Sequence, residues 1–598
     1  MPAVEGSSEE RVVVIGAGPA GLTAGRELAR LGLRPIVVEK GAMVGGLART
    51  EIFKGFHFDM GGHRFFTKVD EVNKIWHEVL GEHFLRRPRL SRINYNRRFF
   101  YYPLRPLNVL RGLGPWQAVL ILLSYVRGQL FPYRQEDTFE EWVTNRFGRR
   151  LFRIFFKTYT EKVWGIPCSE LRAEWAAQRI KNLSLKAAVL SMFLKPRRTI
   201  KTLIEEFDYP RLGPGMMWNA VAREIRQQQG AVRLHSEVVA LRRTGLRIDG
   251  IVVSTGGREE IIAGTHFISS MPVSELVQKL TPPAPAPVLE AARRLSYRDF
   301  LTVCLIVNRP NLFPDSWIYV HSPEVTVGRI QNFKNWSPDM VPDPSKTSLG
   351  LEYFCSEGDA VWSTPDADLV ELGKRELEQI GLVHAGDVED GCVFRVSKAY
   401  PIYDAGYRDA LATVRKFVDS LLNLQTVGRN GLHRYNNQDH AMLTGLLAVR
   451  NLTRGERNDL WSVNVDQEYH EEEVAALPDR ERAEIGAGLG PVFHKLDGVA
   501  LGGAAGVLGG MLLCLATLVL VLKGGDEVGP RLGLLAQYFP GYTVTGPGSL
   551  LGGAYGFIVG FLGGLGFAVF RNAALFLSMA ILQRRAQLHL VRRFLDFI

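Results

Sequence analysis

An α/β fold ending in a pair of apolar helices is predicted by three features of this 598-residue sequence. A strand, a glycine-rich turn and a helix open the chain, alternating segments return after residue 230, and two long stretches beyond Lys495 carry no charge. A chain of this length exceeds what one hydrophobic core organises, so two or three structural units are expected. With 46% hydrophobic and 22% charged residues, the composition is that of a packed protein and excludes global disorder.

Residues Arg11–Ile15 read as a buried parallel strand, Gly21–Leu31 carries apolar positions at helical spacing, and Pro35–Glu39 is a second strand. Between the first strand and the helix, Gly16-Ala17-Gly18-Pro19-Ala20-Gly21 forms a GxGxxG turn. Its glycines permit a tight bend and let a pyrophosphate approach the helix N-terminus, where unpaired N–H groups and the dipole favour an anion. Glu39 ends the second strand where a carboxylate that binds a ribose hydroxyl is expected. Motif, context and acid together distinguish this from a glycine turn in an unrelated α/β protein. They predict a Rossmann-like dinucleotide-binding domain and leave FAD and NAD open.

A region rich in arginine and aromatics follows, roughly Phe84–Trp218, where helical periodicity dominates and Leu113–Val126 is a long apolar run. It suits a helical, substrate-facing domain. Within it, the aromatic and basic run Arg97–Pro103 fits either a pocket wall or an ordinary strand and turn. Alternation returns at Val232–Arg242, Gly250–Ser254 and His266–Ser270, then at Leu301–Val307, Thr326–Gln331 and Leu349–Phe354, extending the first sheet and building a second. The charged stretch Glu468–Arg482 and the run Gly486–Gly490 read as a linker.

Beyond Lys495, Gly498–Leu522 and Gly546–Phe570 lack charge and are each long enough for a bilayer core, which needs about 20 helical residues. Arg571, Arg584, Arg585, Arg592 and Arg593 follow the second stretch, an excess that places the C-terminus and the catalytic region in the cytoplasm. Glycines 502, 506 and 510, and 552, 556, 560 and 564, recur every four residues, the spacing of a close-packed transmembrane hairpin. A pair of buried soluble helices is the alternative.

The net charge of +10 favours acidic partners such as phosphorylated substrates or anionic lipid, but is too dispersed to indicate nucleic acid. Five cysteines, at 168, 304, 355, 392 and 514, form no CxxC pair and suggest neither a disulfide framework nor a zinc site. No metal cluster, Ser-His-Asp order or P-loop stands out. The first ten residues lack the basic start and apolar core of a signal peptide.

Further residues carry a resemblance. Glu39-Lys40 leads into Gly45-Gly46-Leu47-Ala48-Arg49, and Gly428 follows the apolar Leu424–Val427; both resemble glycine elements that hold FAD in flavin amine oxidases, phytoene desaturases and protoporphyrinogen oxidases. Four blocks resemble UDP-galactopyranose mutase more narrowly. Gly61-Gly62-His63-Arg64-Phe65-Phe66-Thr67 is similar to its GPHIFHT, whose histidine lies by the flavin, and Tyr159–Gly165 to its YTRKQWG, with Arg179 in the place of an arginine that grips phosphate. Gly328-Arg329-Ile330 and Glu352-Tyr353 resemble segments carrying a second such arginine and a substrate tyrosine. Gly428–Asp439, with Arg429 and Tyr435, resembles GRLGTYRYLDMD. Asn437 stands where that pattern has aspartate, Gly62 where it has proline, and Tyr209–Met216 is closer to the protoporphyrinogen-oxidase-like relatives.

The resemblance implies an FAD-binding set of Gly16, Gly18, Pro19, Ala20, Gly21, Glu39, Lys40, Gly45, Gly46, Leu47, Gly62, His63, Val238, Gly428 and Asn437. It implies a catalytic set of His63, Arg179, Arg329, Tyr353, Arg429 and Tyr435. The FAD-dependent catalytic region would span 1-485, with FAD-binding segments at about 8-70, 230-272 and 424-450 and a substrate domain at about 84-220 and 295-400. A linker at 486-495 and a membrane hairpin with a basic C-terminal helix at 496-598 complete the chain. The reaction implied interconverts pyranose and furanose forms of a nucleotide- or polyprenyl-phosphate-linked sugar through reduced FAD without net redox change. NAD(P)H would be the electron donor, and membrane lipid and glycosyltransferases of envelope synthesis the partners. The alternative is an FAD-dependent oxidase or desaturase of a membrane-associated substrate.

Overall fold

The computed structural model describes residues 11–102, 104, 106–173, 206–464, 497–524 and 528–595. They fall into two compact units, one within 11–464 and one from 497 onward.

The first unit is built on three larger sheets. Its opening strand, Val12–Ile15, is the centre of a five-stranded parallel sheet, flanked by His266–Ser269 and Leu424–Thr426 on one side and by Ile36–Val38 and Ala231–Arg233 on the other. Val12–Ile15 and Ile36–Val38 are short Val/Ile runs, as a sheet covered on both faces requires. The helix Pro19–Arg30 covers one face with Leu22, Ala24 and Leu28 buried, and Gly445 of the helix Gln438–Arg454 lets that second helix close on it. A Cβ at Gly445 would stand 2.5 Å from the carbonyl oxygen of Ala20.

The stretch expected as one strand from Val232 to Arg242 is two. Ala231–Arg233 joins the parallel sheet, whereas Glu237–Thr244 enters a separate four-stranded sheet with Arg247–Thr255, Arg258–Ala263 and Leu280–Thr281. The break lies at His235, whose φ is +52°, and is pinned where the Ser236 amide donates to the Glu39 carbonyl at 2.8 Å. Alternation of apolar residues continued through the bend, so periodicity alone did not reveal it.

The third sheet has seven strands in the order Val388–Pro401, Tyr297–Val307, Thr347–Cys355, Arg329–Asn332, Trp317–Val320, Ser91–Tyr95 and Arg98–Tyr101. The strand expected from Thr326 begins only at Arg329. The region after Phe84 opens not with helix but with three strands, and Arg98–Tyr101 is an edge strand joined to its neighbour through Asn96 and Arg97, both at positive φ. This sheet is buried on both faces. Leu349, Leu351, Tyr353 and Cys355 pack into one core, and Phe300, Cys304 and Phe354 into another that carries the helices beyond residue 138.

In the second unit, helices Gly498–Lys523 and Gly546–Leu595 pack together through glycine. A Cβ at Gly502 or Gly506 would stand 2.8 Å from the carbonyl oxygen of Phe561 or Phe557, and one at Gly510 2.7 Å from that of Gly553. Tyr542, in the connection, is buried and shares a 2.7 Å hydrogen bond with Thr517. The outward residues Leu512, Leu522, Leu550 and Phe570 are exposed, and both helices are long and apolar enough to cross a membrane.

Candidate functional site

At the C-terminal edge of the parallel sheet lies a cleft of about 550 Å³, where ligands of open α/β sheets collect. Gly16, Gly18, Pro19, Ala20, Glu39, Lys40, Gly46, Leu47, His63, Val238, Gly428 and Asn437 all line it. The turn's glycines divide into two kinds. Gly16, at φ +97°, has no room for a side chain because a Cβ would collide with Ser270, and a Cβ on Gly21 would collide with the carbonyl oxygen of Gly16. Gly18 is different. The nearest atom to a Cβ there is Gly46 Cα at 3.9 Å, so its missing side chain leaves free space at the helix N-terminus. Gly21 and Gly45 shape the turns without lining the cleft; Gly45 has φ +106° and donates its amide to the Ala17 carbonyl at 2.8 Å.

Glu39 is fixed by two backbone amides, Ala17 to Oε2 at 2.9 Å and Gly41 to Oε1 at 2.8 Å. Gly428, at φ +80°, closes the far wall, its amide bound to Thr444 Oγ1 at 2.9 Å. An open helix N-terminus, a clamped carboxylate and space reserved by Gly18 fit a flavin dinucleotide, which Gly18, Glu39, Gly46 and Gly428 would hold.

A second, smaller pocket of about 80 Å³ adjoins the cleft and shares Leu47, His63, Arg429, Asn437 and Gln438 with it. Gly62, expected at the cofactor, lies only in this pocket, where a Cβ would stand 2.9 Å from Gln331 Nε2. The structure brings four of the expected catalytic residues here: His63, Arg329, Arg429 and Tyr435. Arg329 projects from its strand directly opposite Glu352 and forms a two-pronged ion pair with it, Nε to Oε1 at 2.9 Å and Nη2 to Oε2. Burial lowers the proton affinity of this guanidinium, but the fully buried Glu352 carboxylate more than offsets that and raises it well above its ordinary value. Gln331 donates to Glu352 Oε1 as well, at 2.9 Å.

Arg429 is held by the carbonyls of Asn436 and Ala399, at 2.8 and 2.9 Å, and lies 4.7 Å from the Tyr435 ring centroid. Tyr435 stacks on Tyr400, centroids 5.4 Å apart and planes within 12°. His63 Nε2 donates to the Met60 carbonyl at 2.8 Å. Burial pulls its pKa down to about 4 against that hydrogen bond, with Arg429 and Arg329 adding to the drop, so the ring is neutral at pH 7.

Tyr353 is corrected. It is fully buried on the opposite face of the sheet and donates its hydroxyl to Glu376 at 3.0 Å. Successive strand residues face opposite ways, so Glu352 at the pocket requires Tyr353 to point away from it. Tyr400, the penultimate residue of the long strand Val388–Pro401, joins Tyr435 there. No local motif marks it; only strand register delivers it. Arg179 lies outside the described residues. The block Tyr159–Gly165 braces the site: Lys162 Nζ donates to the carbonyls of Ser322 and Val327 at 2.8 and 3.1 Å, Tyr159 stacks on His321, and Trp164 packs against Tyr403 and Tyr435.

Comparison with known proteins bears on the family and the fold. The family model for flavin containing amine oxidoreductases matches residues 19–446. The chain belongs to that family. Its members are flavin-dependent enzymes, and so is this protein. The fold is shared with reduced UDP-galactopyranose mutase, at a TM-score of 0.67 and 22% identity, covering 77% of this chain and 98% of that one. It is shared also with a putative protoporphyrinogen oxidase from Exiguobacterium sp. 255-15, at a TM-score of 0.58 and 17% identity, covering 75% and 100%. Among curated sequences, a probable UDP-galactopyranose mutase from Klebsiella pneumoniae is 25% identical over 178 residues, 28% of this chain and 44% of that protein. An inactive all-trans-retinol 13,14-reductase from Danio rerio is 52% identical over 50 residues, 8% of each chain. The chain thus matches less than half the length of these curated relatives.

Proposed function

We propose that this family member is a sugar mutase, interconverting pyranose and furanose forms of a nucleotide- or polyprenyl-phosphate-linked sugar with its FAD in the reduced state. The observation that carries this reading is the convergence of Arg329 and Arg429 on one small pocket that opens from the cofactor cleft. Reduced flavin supplies an electron-rich centre for the anomeric carbon. The chain's own residues manage the phosphate. A departing phosphate gathers negative charge, and guanidiniums fixed in advance stabilise it without reorganising. Glu352 fixes Arg329, and two carbonyls fix Arg429. His63, being neutral, offers a hydrogen bond to a sugar hydroxyl, and the Tyr400–Tyr435 stack forms a wall with polar tips.

An oxidase or desaturase of a membrane-associated lipid is the alternative, and it has no use for paired guanidiniums in so confined a pocket. The apolar helices extend the proposal: they anchor the chain in a membrane with the catalytic unit in the cytoplasm, where NAD(P)H reduces the flavin and glycosyltransferases use the product.

The test is anaerobic. Dithionite-reduced protein is expected to isomerise a phosphate-linked sugar through many turnovers, and oxidised protein to be inert. Arg329→Ala or Arg429→Ala should lower the rate by about a hundredfold or more while the protein stays yellow. Nucleotide and polyprenyl carriers must both be offered. If reduced protein isomerises neither, while a lipid reductant bleaches the oxidised flavin, the oxidase reading replaces the mutase.

A further inference from the structure

Between Glu82 and Glu136 the chain holds ten arginines and no aspartate or glutamate. The helix Pro115–Leu130 lies in this stretch and is packed inward only along a narrow line, with Ile121 buried. Trp116, Val119, Leu122, Leu123, Val126 and Leu130 recur at helical spacing and are all exposed, Trp116 at 71% and Leu130 at 68%. Phe131, just past the helix end, is 78% exposed. An apolar stripe of this extent on a catalytic unit marks a contact surface.

Beside the stripe opens a cavity of about 640 Å³ into which Arg98, Arg149, Arg150 and Arg153 face together with Gln117 and Ser124 of the same helix. Among the described residues, no carboxylate lines it. Arg150 is built into place, its Nε and Nη2 donating to Gln117 Oε1 at 3.0 and 2.6 Å and its amide to Ser124 Oγ at 3.0 Å. Arg149 and Arg153 are exposed and form no ion pair among the described residues. Four guanidiniums around one cavity repel each other unless an anion joins them, and the described residues supply none there.

We propose that this surface docks on an anionic lipid bilayer, with the exposed face of the helix entering the boundary between headgroups and acyl chains and the arginine cavity receiving a headgroup phosphate. Apolar stripe and basic cavity on one helix are the two parts of an interfacial membrane site, aromatic residues near its ends included. A second copy of the chain is a poor occupant: a two-fold contact would bring the same arginine cluster against itself. The inference rests neither on the mutase reading nor on the C-terminal helices spanning a membrane.

Full-length protein in lipid nanodiscs tests it through quenching of Trp116 fluorescence by brominated lipid. With phosphatidylcholine and phosphatidylglycerol in equal parts, quenching is expected that Trp116→Phe removes, and with phosphatidylcholine alone much less. Arg149→Gln with Arg153→Gln should reduce the quenching to the level of Trp116→Phe, with flavin absorbance unchanged as the sign of an intact fold. Four results overturn the proposal: no Trp116 quenching in either lipid, equal quenching in both, loss of the anionic preference on adding millimolar inorganic phosphate at constant ionic strength, or protection of Trp116 that follows protein concentration and not lipid.

Discussion

Glycine does opposite work in the two units of this protein. In the nucleotide turn, Gly18 leaves free space, its would-be Cβ no nearer than 3.9 Å to any atom, and the space suits a ligand. In the C-terminal helix pair, glycines remove space, and backbones touch where a side chain would otherwise stand. The same residue type at regular spacing therefore means a site in one place and an interface in the other. What separates them is whether the neighbour is a cavity or a second helix.

The contrast can be broken by substitution, and the largest effect is expected at Gly18. Gly18→Val should abolish flavin absorbance while circular dichroism stays native, because a Cβ there meets no protein atom nearer than Gly46 Cα at 3.9 Å. Gly21→Val should instead impair folding, since its side chain would collide with the Gly16 carbonyl inside the turn. If both variants fold and bind flavin alike, the division of the turn's glycines is wrong.

In the tail, Gly506→Leu should separate the two helices, read as loss of an engineered cross-link between them in detergent, because a side chain meets the Phe557 carbonyl. Gly503→Leu should leave the cross-link intact, as nothing lies within 4 Å of its Cβ. Equal loss in both would mean that glycine content, not the packed face, holds the pair.

A smaller effect distinguishes the buried polar groups of the catalytic unit. Burial lowers the pKa of His63 to about 4, of His433 to about 4 and of His321 to about 3. A lowered histidine pKa favours the neutral fold, so this stability is present above the ordinary value near 6.5 and is lost as pH falls towards 4. Each such proton contributes a slope of about 1.4 kcal/mol per pH unit. Buried Asp59, raised to about 7, acts in the opposite sense, its contribution falling as pH rises from about 4 to 7. Denaturation midpoints across pH 4–7 should therefore fall on acidification in the wild type and fall less in His433→Gln.

The smallest effect is expected at Tyr353. Tyr353→Phe should change the rate less than about threefold and cost about 1 kcal/mol of stability, as its hydroxyl serves Glu376 and not the pocket. A hundredfold loss of rate would restore it to the site.

What the sequence disclosed follows the range of each interaction. The glycine turn and Glu39 were legible because their residues lie close along the chain and are constrained by one local geometry. His63, Arg329, Arg429 and Tyr435 were found through motif resemblance, and the pocket they share exists only once distant strands are in register. Glu352 and Tyr353 show the limit: adjacent letters on opposite faces, whose assignment depends on which side of the sheet the pocket lies. Tyr400 had no signal, since its place beside Tyr435 is set by the pairing of Val388–Pro401 with Tyr297–Val307. The helix Pro115–Leu130 was legible as an apolar run, but not which of its residues stay exposed.

The ion pair between Arg329 and Glu352 has a consequence for turnover. Two of the guanidinium's three nitrogens are engaged by the internal carboxylate, leaving Nη1 outside that pair. On the proposed mutase reading, an incoming phosphate would meet a cation already partly neutralised, so substrate and product would be held loosely and exchange quickly. The grip would tighten only as additional charge developed on the phosphate oxygens. Glu352 would thus act as a governor on residence time, exchanging ground-state affinity for release.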